Sequence, residues 1–233
     1  MQFDNFLVNQ VCLEAACVLF PEEQSFCPRH EFIEHLSILS LRIQLKDREL
    51  YQHSLEVLAI TRLFLQALHL PEEISSLIQI AALFHDVGKI DISHEILYKS
   101  SELTPQEFEE VKKHSFHGAQ RLGRSEILQE AAVLVHHNHE HWDGSGYPAG
   151  LQGLSIPLGS RIIAIADAFT VITTGRIYKP PCTLAQALAE LSCCAGTQFD
   201  PLLVAHFCSY LQSALYQQAV QFPPAHKTRP GAA

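Results

Sequence analysis

The sequence predicts an all-α protein, because apolar residues recur at helical spacing over most of the chain. Alternating stretches of β-branched residues bounded by turns are few, and several helix starts carry explicit capping signals. Residues 1–40 give at least one amphipathic helix, interrupted at Pro21 and Pro28, and a helical run follows from about Phe32 through Leu45. Leu50, Leu55, Leu58, Ile60, Phe64, Leu65 and Leu68 mark a long helix from Asp47 to His69, closed by the boundary before Pro71. Pro71-Glu72-Glu73 puts proline and acids in the first turn of the next helix, which its apolar residues extend to Gly88. Thr104-Pro105-Gln106-Glu107 has the form of a capping box with proline at the first helical position, and places His114 near the end of that helix. Ser125 is expected to cap a helix that reaches a histidine cluster at 136–141. Four glycines and two prolines make 143–157 a loop. Helices over Arg161–Thr174, Thr183–Leu191 and Asp200–Leu215 complete the set, and the Pro- and Ala-rich residues from Phe222 onward read as a frayed tail.

The chain of 233 residues, 47% hydrophobic, suits one main globular domain. Lys and Arg total 16 against 25 Asp and Glu, a formal charge of −9, which argues against a broad surface for long nucleic acid or an anionic membrane. An anionic ligand must then be held by local charge. The seven cysteines show no CxxC spacing and read as reduced thiols of a cytoplasmic protein. Residues 1–28 carry no Lys or Arg, and their apolar runs are too short and too often interrupted for a secretory signal or a membrane span.

What does stand out is 14 histidines, four of them between His136 and His141. Five segments combine histidine with carboxylate. Glu49 and His53, four residues apart, share one helix face; taken alone they read as a surface hydrogen-bonded pair. His85-Asp86 follows the apolar run Ile78–Phe84, where a carboxylate is costly to bury without a cation; the plain alternative is a helix end turning into solvent at Gly88. His114, with His117 one turn on, reads alone as a surface histidine. In the fourth segment, a helix continuing from Ser125 puts Ile127, Ala131, Leu134 and Asn138 on one inward stripe with His139 beside them and His136 nearly opposite. Asp167 is the only charge in the eight residues after Arg161, and its alternative role is a structural hydrogen bond. Together, imidazoles and carboxylates without cysteine suit iron, manganese or a similar first-row metal better than a closed structural zinc site. Two or three such ions can generate hydroxide and stabilise the leaving alkoxide of a phosphodiester.

At this point the chain resembles the HD-GYP branch of the HD phosphohydrolase superfamily. The resemblance rests on His85-Asp86, Lys89 and the loop Asp143-Gly144-Ser145-Gly146-Tyr147-Pro148, and on the order and spacing of all five segments over about residues 45–205. It implies an HD-type helical bundle with the metal site in its core over 46–215, a short N-terminal helical segment over 1–45, and a tail over 216–233. The implied activity is hydrolysis of cyclic di-GMP to the linear dinucleotide or GMP with two or three divalent metal ions, iron or manganese. His53, His85, Asp86, His114, His139 and Asp167 match metal ligands, Glu49 matches the carboxylate of a third metal, and Asp86 and Lys89 match the catalytic pair. Lys89 also matches a phosphate contact, Arg176 with Lys179 matches a basic pair gripping the outer phosphate, and Tyr147 belongs to the loop that shapes the pocket. The resemblance further admits protein signalling partners at that loop and a homodimer.

Three positions depart from the family pattern. Asn138 stands where a histidine metal ligand is usual, and an amide oxygen is the weaker ligand. Thr170 replaces an aspartate, and Ile177 replaces a proline between the basic residues. They leave open a non-hydrolysing cyclic di-GMP effector, as well as a phosphohydrolase for another nucleotide.

Overall fold

A computed structural model describes residues 2–20, 26–174 and 182–221. Eleven α-helices occur among them: α1 (Gln2–Leu19), α2 (Phe26–Lys46), α3 (Arg48–Leu68), α4 (Glu72–Leu83), α5 (His94–Leu97), α6 (Pro105–Lys112), α7 (His114–Leu122), α8 (Gln129–His136), α9 (Leu158–Thr174), α10 (Leu184–Cys193) and α11 (Pro201–Gln221). No β-strand forms among the described residues, so the all-α expectation holds.

Helix α3 is the axis of the bundle. Asp47 caps it, its carboxylate accepting from Leu50 N–H at 2.9 Å. Its apolar face, from Leu50 and Tyr51 to Phe64 and Leu65, is buried against α2, α4, α9 and α11. Helix α4 is sandwiched in turn between α3 on one side and α1 and α8 on others. One continuous buried cluster runs from Val8 and Val11 of α1, through Phe32, Leu36 and Ile43 of α2, to Phe207 and Leu211 of α11. No helix among the described residues is long and apolar enough to cross a membrane.

Two capping signals translate directly into helix starts, while Ser125 makes no side-chain cap. Thr104 and Glu107 form the reciprocal box, with Glu107 accepting from Thr104 N–H at 2.7 Å, and Thr183 with Gln186 forms a second. Several boundaries differ from the sequence reading. Pro28 lies inside the first turn of α2, where the missing N–H has no intrahelical partner to lose, so it does not interrupt the helix. Helix α9 begins at Leu158 rather than Arg161, and α11 continues past Leu215 to Gln221. The tail from Phe222 lies outside the described residues.

Three corrections matter for the site. Helix α4 stops at Leu83 instead of running to Gly88, and Val87–Asp91 forms a 3₁₀ turn. The cause is tertiary: a Cβ on Gly88 would sit 2.0 Å from the carbonyl oxygen of His114, so backbone meets backbone there and glycine alone fits. His114 opens α7 rather than closing α6. Its Nδ1 donates to the Val111 carbonyl at 2.7 Å, and Lys113, in right-handed helical conformation, is the one residue between α6 and α7. The helix from Ser125 likewise divides into a 3₁₀ turn (Glu126–Leu128) and α8, which ends at His136 before reaching Asn138.

Candidate metal centre

Five elements in the middle of the bundle each deliver part of the centre. His53 projects from α3 and Asp167 from α9, with His53 Nε2 and Asp167 Oδ1 3.0 Å apart. His85 and Asp86 occupy the turn after α4, His114 the start of α7, and Asn138 and His139 the turn after α8. Two groups of ligand atoms converge: His53, His85 and Asp86 form one, and Asp86, His114 and His139 form the other, with the atoms of each within 4.8 Å of one another. Asp86 belongs to both. His85 and Asp86 are 0% and 2% exposed, so neither is stabilised by bulk water.

Hydrogen bonds at the far side of the rings fix which nitrogen faces inward. His85 Nδ1 donates to Ala82 O at 2.8 Å and His114 Nδ1 to Val111 O at 2.7 Å. That leaves both Nε2 atoms as lone-pair donors toward the centre. His114 Nε2 stands 2.9 Å from His139 Nε2 and 3.3 Å from Asp86 Oδ1. His85 Nε2, Asp86 Oδ1 and Asn138 Oδ1 are buried without a hydrogen bond. Converging ring nitrogens and orphaned buried acceptors are the arrangement a divalent cation satisfies.

Electrostatics prepare the same atoms. Burial would raise the Asp86 pKa, but the Lys89 ammonium, 2.5 Å away, and the His85 and His114 imidazoles hold the carboxyl well below the usual range. Burial opposes ionisation of Asp167 too, yet the hydrogen bond from His53 and the charge of His85 bring it to about 2. Burial, with His114 beside it, pushes His139 down to about 3, and burial lowers His114 against the pull of Asp86. His85 goes the other way: burial is outweighed by Asp86 and Asp167, and its pKa is raised. At neutral pH the centre therefore combines ionised carboxylates with neutral imidazoles at His114 and His139, the state that binds metal.

The remaining sequence candidates fall at different distances from this centre. Lys89 touches it through Asp86. Tyr147 lies against it, its ring stacked on His139 with centroids 5.0 Å apart and its edge toward His114 at 6.5 Å. Glu49 sits one turn before His53 on α3, exposed and outside both ligand groups. Arg176, Ile177 and Lys179 lie outside the described residues. Thr170 is buried and donates to Ala166 O at 2.8 Å within its own helix, so its hydroxyl is satisfied locally.

Two features of the site carried no signal strong enough to be read from the sequence. The Glu140 carboxylate is fully buried and accepts from Ala149 N–H at 2.7 Å and Leu151 N–H at 3.0 Å, tying the glycine-rich loop to the turn that bears His139. At Gly146 the loop returns so closely that a Cβ would lie 2.2 Å from His141 N and 2.5 Å from His139 O. A lone acid among histidines, followed by a glycine-rich loop, was the available clue.

A family model for the HD domain matches residues 37–203, which takes in every helix that contributes to the two groups. The chain belongs to the HD domain family. Its Tyr147-Pro148 loop and its relatives set it in the HD-GYP branch. It is 37% identical over 188 residues to a cyclic di-GMP phosphodiesterase of Thermotoga maritima, an alignment covering 79% of this chain and 51% of that protein. To the 3'3'-cGAMP-specific phosphodiesterase 2 of Vibrio cholerae it is 38% identical, over 71% of this chain and 32% of the relative. The chain thus spans about half and about a third of these two HD-domain relatives. The solved structure of a cyclic GMP-AMP-specific phosphodiesterase of Vibrio cholerae (V-cGAP3) superposes with a TM-score of 0.59 at 21% identity, covering 83% of this chain and 56% of the other, a likeness of fold.

Proposed function

We propose that this HD-domain chain hydrolyses cyclic di-GMP, to the linear dinucleotide or GMP, in a metal-dependent reaction. The observation that carries the reading is the pair of ligand groups meeting at Asp86, as a centre that grips a phosphodiester requires. The names of the Thermotoga and Vibrio relatives support a cyclic dinucleotide as the substrate class.

In this reading His53, His85, Asp86 and Asp167 hold one divalent ion, and Asp86, His114, His139 and the Asn138 carbonyl hold the second. Glu49 serves a third. The absence of cysteine among these donors favours iron or manganese. Ions bound there supply Lewis-acid charge and a hydroxide nucleophile at neutral pH. The protein's own groups orient the substrate: Lys89 contributes positive charge beside Asp86, Tyr147 closes the wall next to His139, and Arg176 with Lys179 grips the outer phosphate. The catalytic unit spans 46–215, residues 1–45 form a helical cap and 216–233 a tail. We place the protein in the cytoplasm, with the Gly-Tyr-Pro loop as the face offered to signalling partners or a second copy.

The test is incubation of purified protein, loaded anaerobically with iron(II) or with manganese, with cyclic di-GMP and chromatography of the products. Linear dinucleotide or GMP in stoichiometric excess over enzyme is the expected outcome. Tight binding with the ligand unchanged would overturn hydrolysis in favour of an effector.

A further inference from the structure

Helix α2 carries apolar residues on two sides. Phe32, Leu36, Leu39 and Ile43 are buried in the core, whereas Ile38, Leu41 and Leu45 are 45%, 52% and 77% exposed. Spaced i, i+3 and i+7, the exposed three form one stripe spanning about 60° of the outer helix surface. Exposed apolar residues scattered singly need no explanation, but a stripe at helical spacing edged by charge marks a surface for a protein partner.

The charges on this face identify the partner. Glu34 lies four residues before Ile38 and Arg42 four residues after it, so acid, isoleucine and base stand on one ridge with Ile38 at its midpoint. Both charged side chains are exposed. Among the described residues Glu34 pairs with the His30 imidazole of the same helix at 3.8 Å, longer than a hydrogen bond, and Arg42 has no ion pair.

A ridge with acid and base equidistant from its centre is self-complementary. Two copies of α2 related by a two-fold axis near Ile38 run antiparallel, and each Glu34 then faces Arg42 of the other copy while the apolar stripes cover each other. A parallel pair would set Arg42 against Arg42 and Glu34 against Glu34, so the charges also select the direction. An unlike partner needs no such symmetry. A shallow groove of about 180 Å³ between this face and Val8 and Asn9 of α1 extends the surface past one helix, toward the roughly 1,200–2,000 Å² that a specific pair of proteins buries.

We propose that the outer face of α2 is the contact between two copies of this chain, which pair antiparallel through Ile38, Leu41 and Leu45 with reciprocal Glu34–Arg42 ion pairs. The inference is independent of the reaction catalysed, and it leaves the Gly-Tyr-Pro loop to other partners.

The experiment is sedimentation equilibrium of the full chain between about 1 and 100 μM. Wild type is compared with Ile38→Glu, Glu34→Arg, Arg42→Glu and the double exchange Glu34→Arg/Arg42→Glu, with circular dichroism to verify that each variant is folded. Wild type is expected to dimerise within this range. Ile38→Glu sets two carboxylates together on the axis and should leave a monomer. Each single reversal brings like charges face to face and should weaken the dimer roughly 10- to 100-fold, and the double exchange should return Kd to within about threefold of wild type. Residues eight apart on a helix do not touch each other, so that recovery can arise only across the interface. Wild type that stays monomeric throughout, a dimer indifferent to Ile38→Glu, or a double exchange no tighter than the single reversals would each overturn the proposal.

Discussion

His114 and His139 present their Nε2 atoms to each other at 2.9 Å while Nδ1 of His114 is committed to the Val111 carbonyl. Without a cation this contact holds only if His139 donates a proton. With one, both lone pairs point at the ion, and Asp86 Oδ1, 3.3 Å from His114, completes the group. Removal of metal therefore leaves buried polar atoms imperfectly paired. We expect chelation to lower the melting temperature by about 5–10 °C relative to protein in a hundredfold excess of metal over Kd, which corresponds to about 2.7 kcal/mol. Differential scanning fluorimetry with and without chelator, followed by metal restoration, checks it.

Asp86 belongs to both ligand groups, so its removal acts on both at once. Asp86→Ala should abolish hydrolysis and strip metal from both sites, whereas His53→Ala should empty one site preferentially. Elemental analysis of the purified variants decides, and a normal metal content in Asp86→Ala would contradict the ligand set.

Glu140 holds the glycine-rich loop by two backbone N–H groups. Glutamine in its place turns an amide N–H₂ toward one of them and should cost about 1–3 kcal/mol. The expected signature is local: faster hydrogen exchange at the Ala149 and Leu151 amides, with α3 and α4 protected as before.

Gly88 admits no side chain, since a Cβ would meet His114 O at 2.0 Å. Gly88→Ala should separate α7 from the 3₁₀ turn and cost at least roughly 3 kcal/mol, or about 6–12 °C in melting temperature. Wild-type stability in this variant would show that the approach is not as close as described.

Cys12 tests how firmly α1 is docked. Burial pushes its thiol up to about 12 from the ordinary 9.0, so the unfolded chain releases this proton at lower pH than the folded one. Its contribution to stability is complete below pH 9 and declines as pH rises from 9 toward 12. At pH 8 a thiol reagent should modify exposed Cys193 promptly and Cys12 only at the rate of unfolding.

Much of this architecture is legible in the sequence where the signal is local. The box at Thr104 and Glu107 and the proline before Glu72 fix helix starts within a few residues. The end of α4 is not legible, because the apolar run continues through Val87 and the interruption comes from the backbone of a segment 26 residues later, at His114. The identities of the histidines and acids raise the prospect of a metal, but spacing along the chain does not reveal that Asp86 lies between two groups or that His114 faces His139. Glu140 escaped for the opposite reason. In a histidine-rich stretch an acid looks like one more ligand, and its partners are main-chain amides that leave no trace in the residue pattern.

Helix α1, which carries none of the proposed ligands, packs along α4, and α4 ends in the turn holding His85 and Asp86. A close-packed interior transmits displacement instead of absorbing it. The N-terminal helix is thus joined to the shared carboxylate by one intervening element, so the packing that anchors α1 and the geometry that gathers the ligands share the same helix.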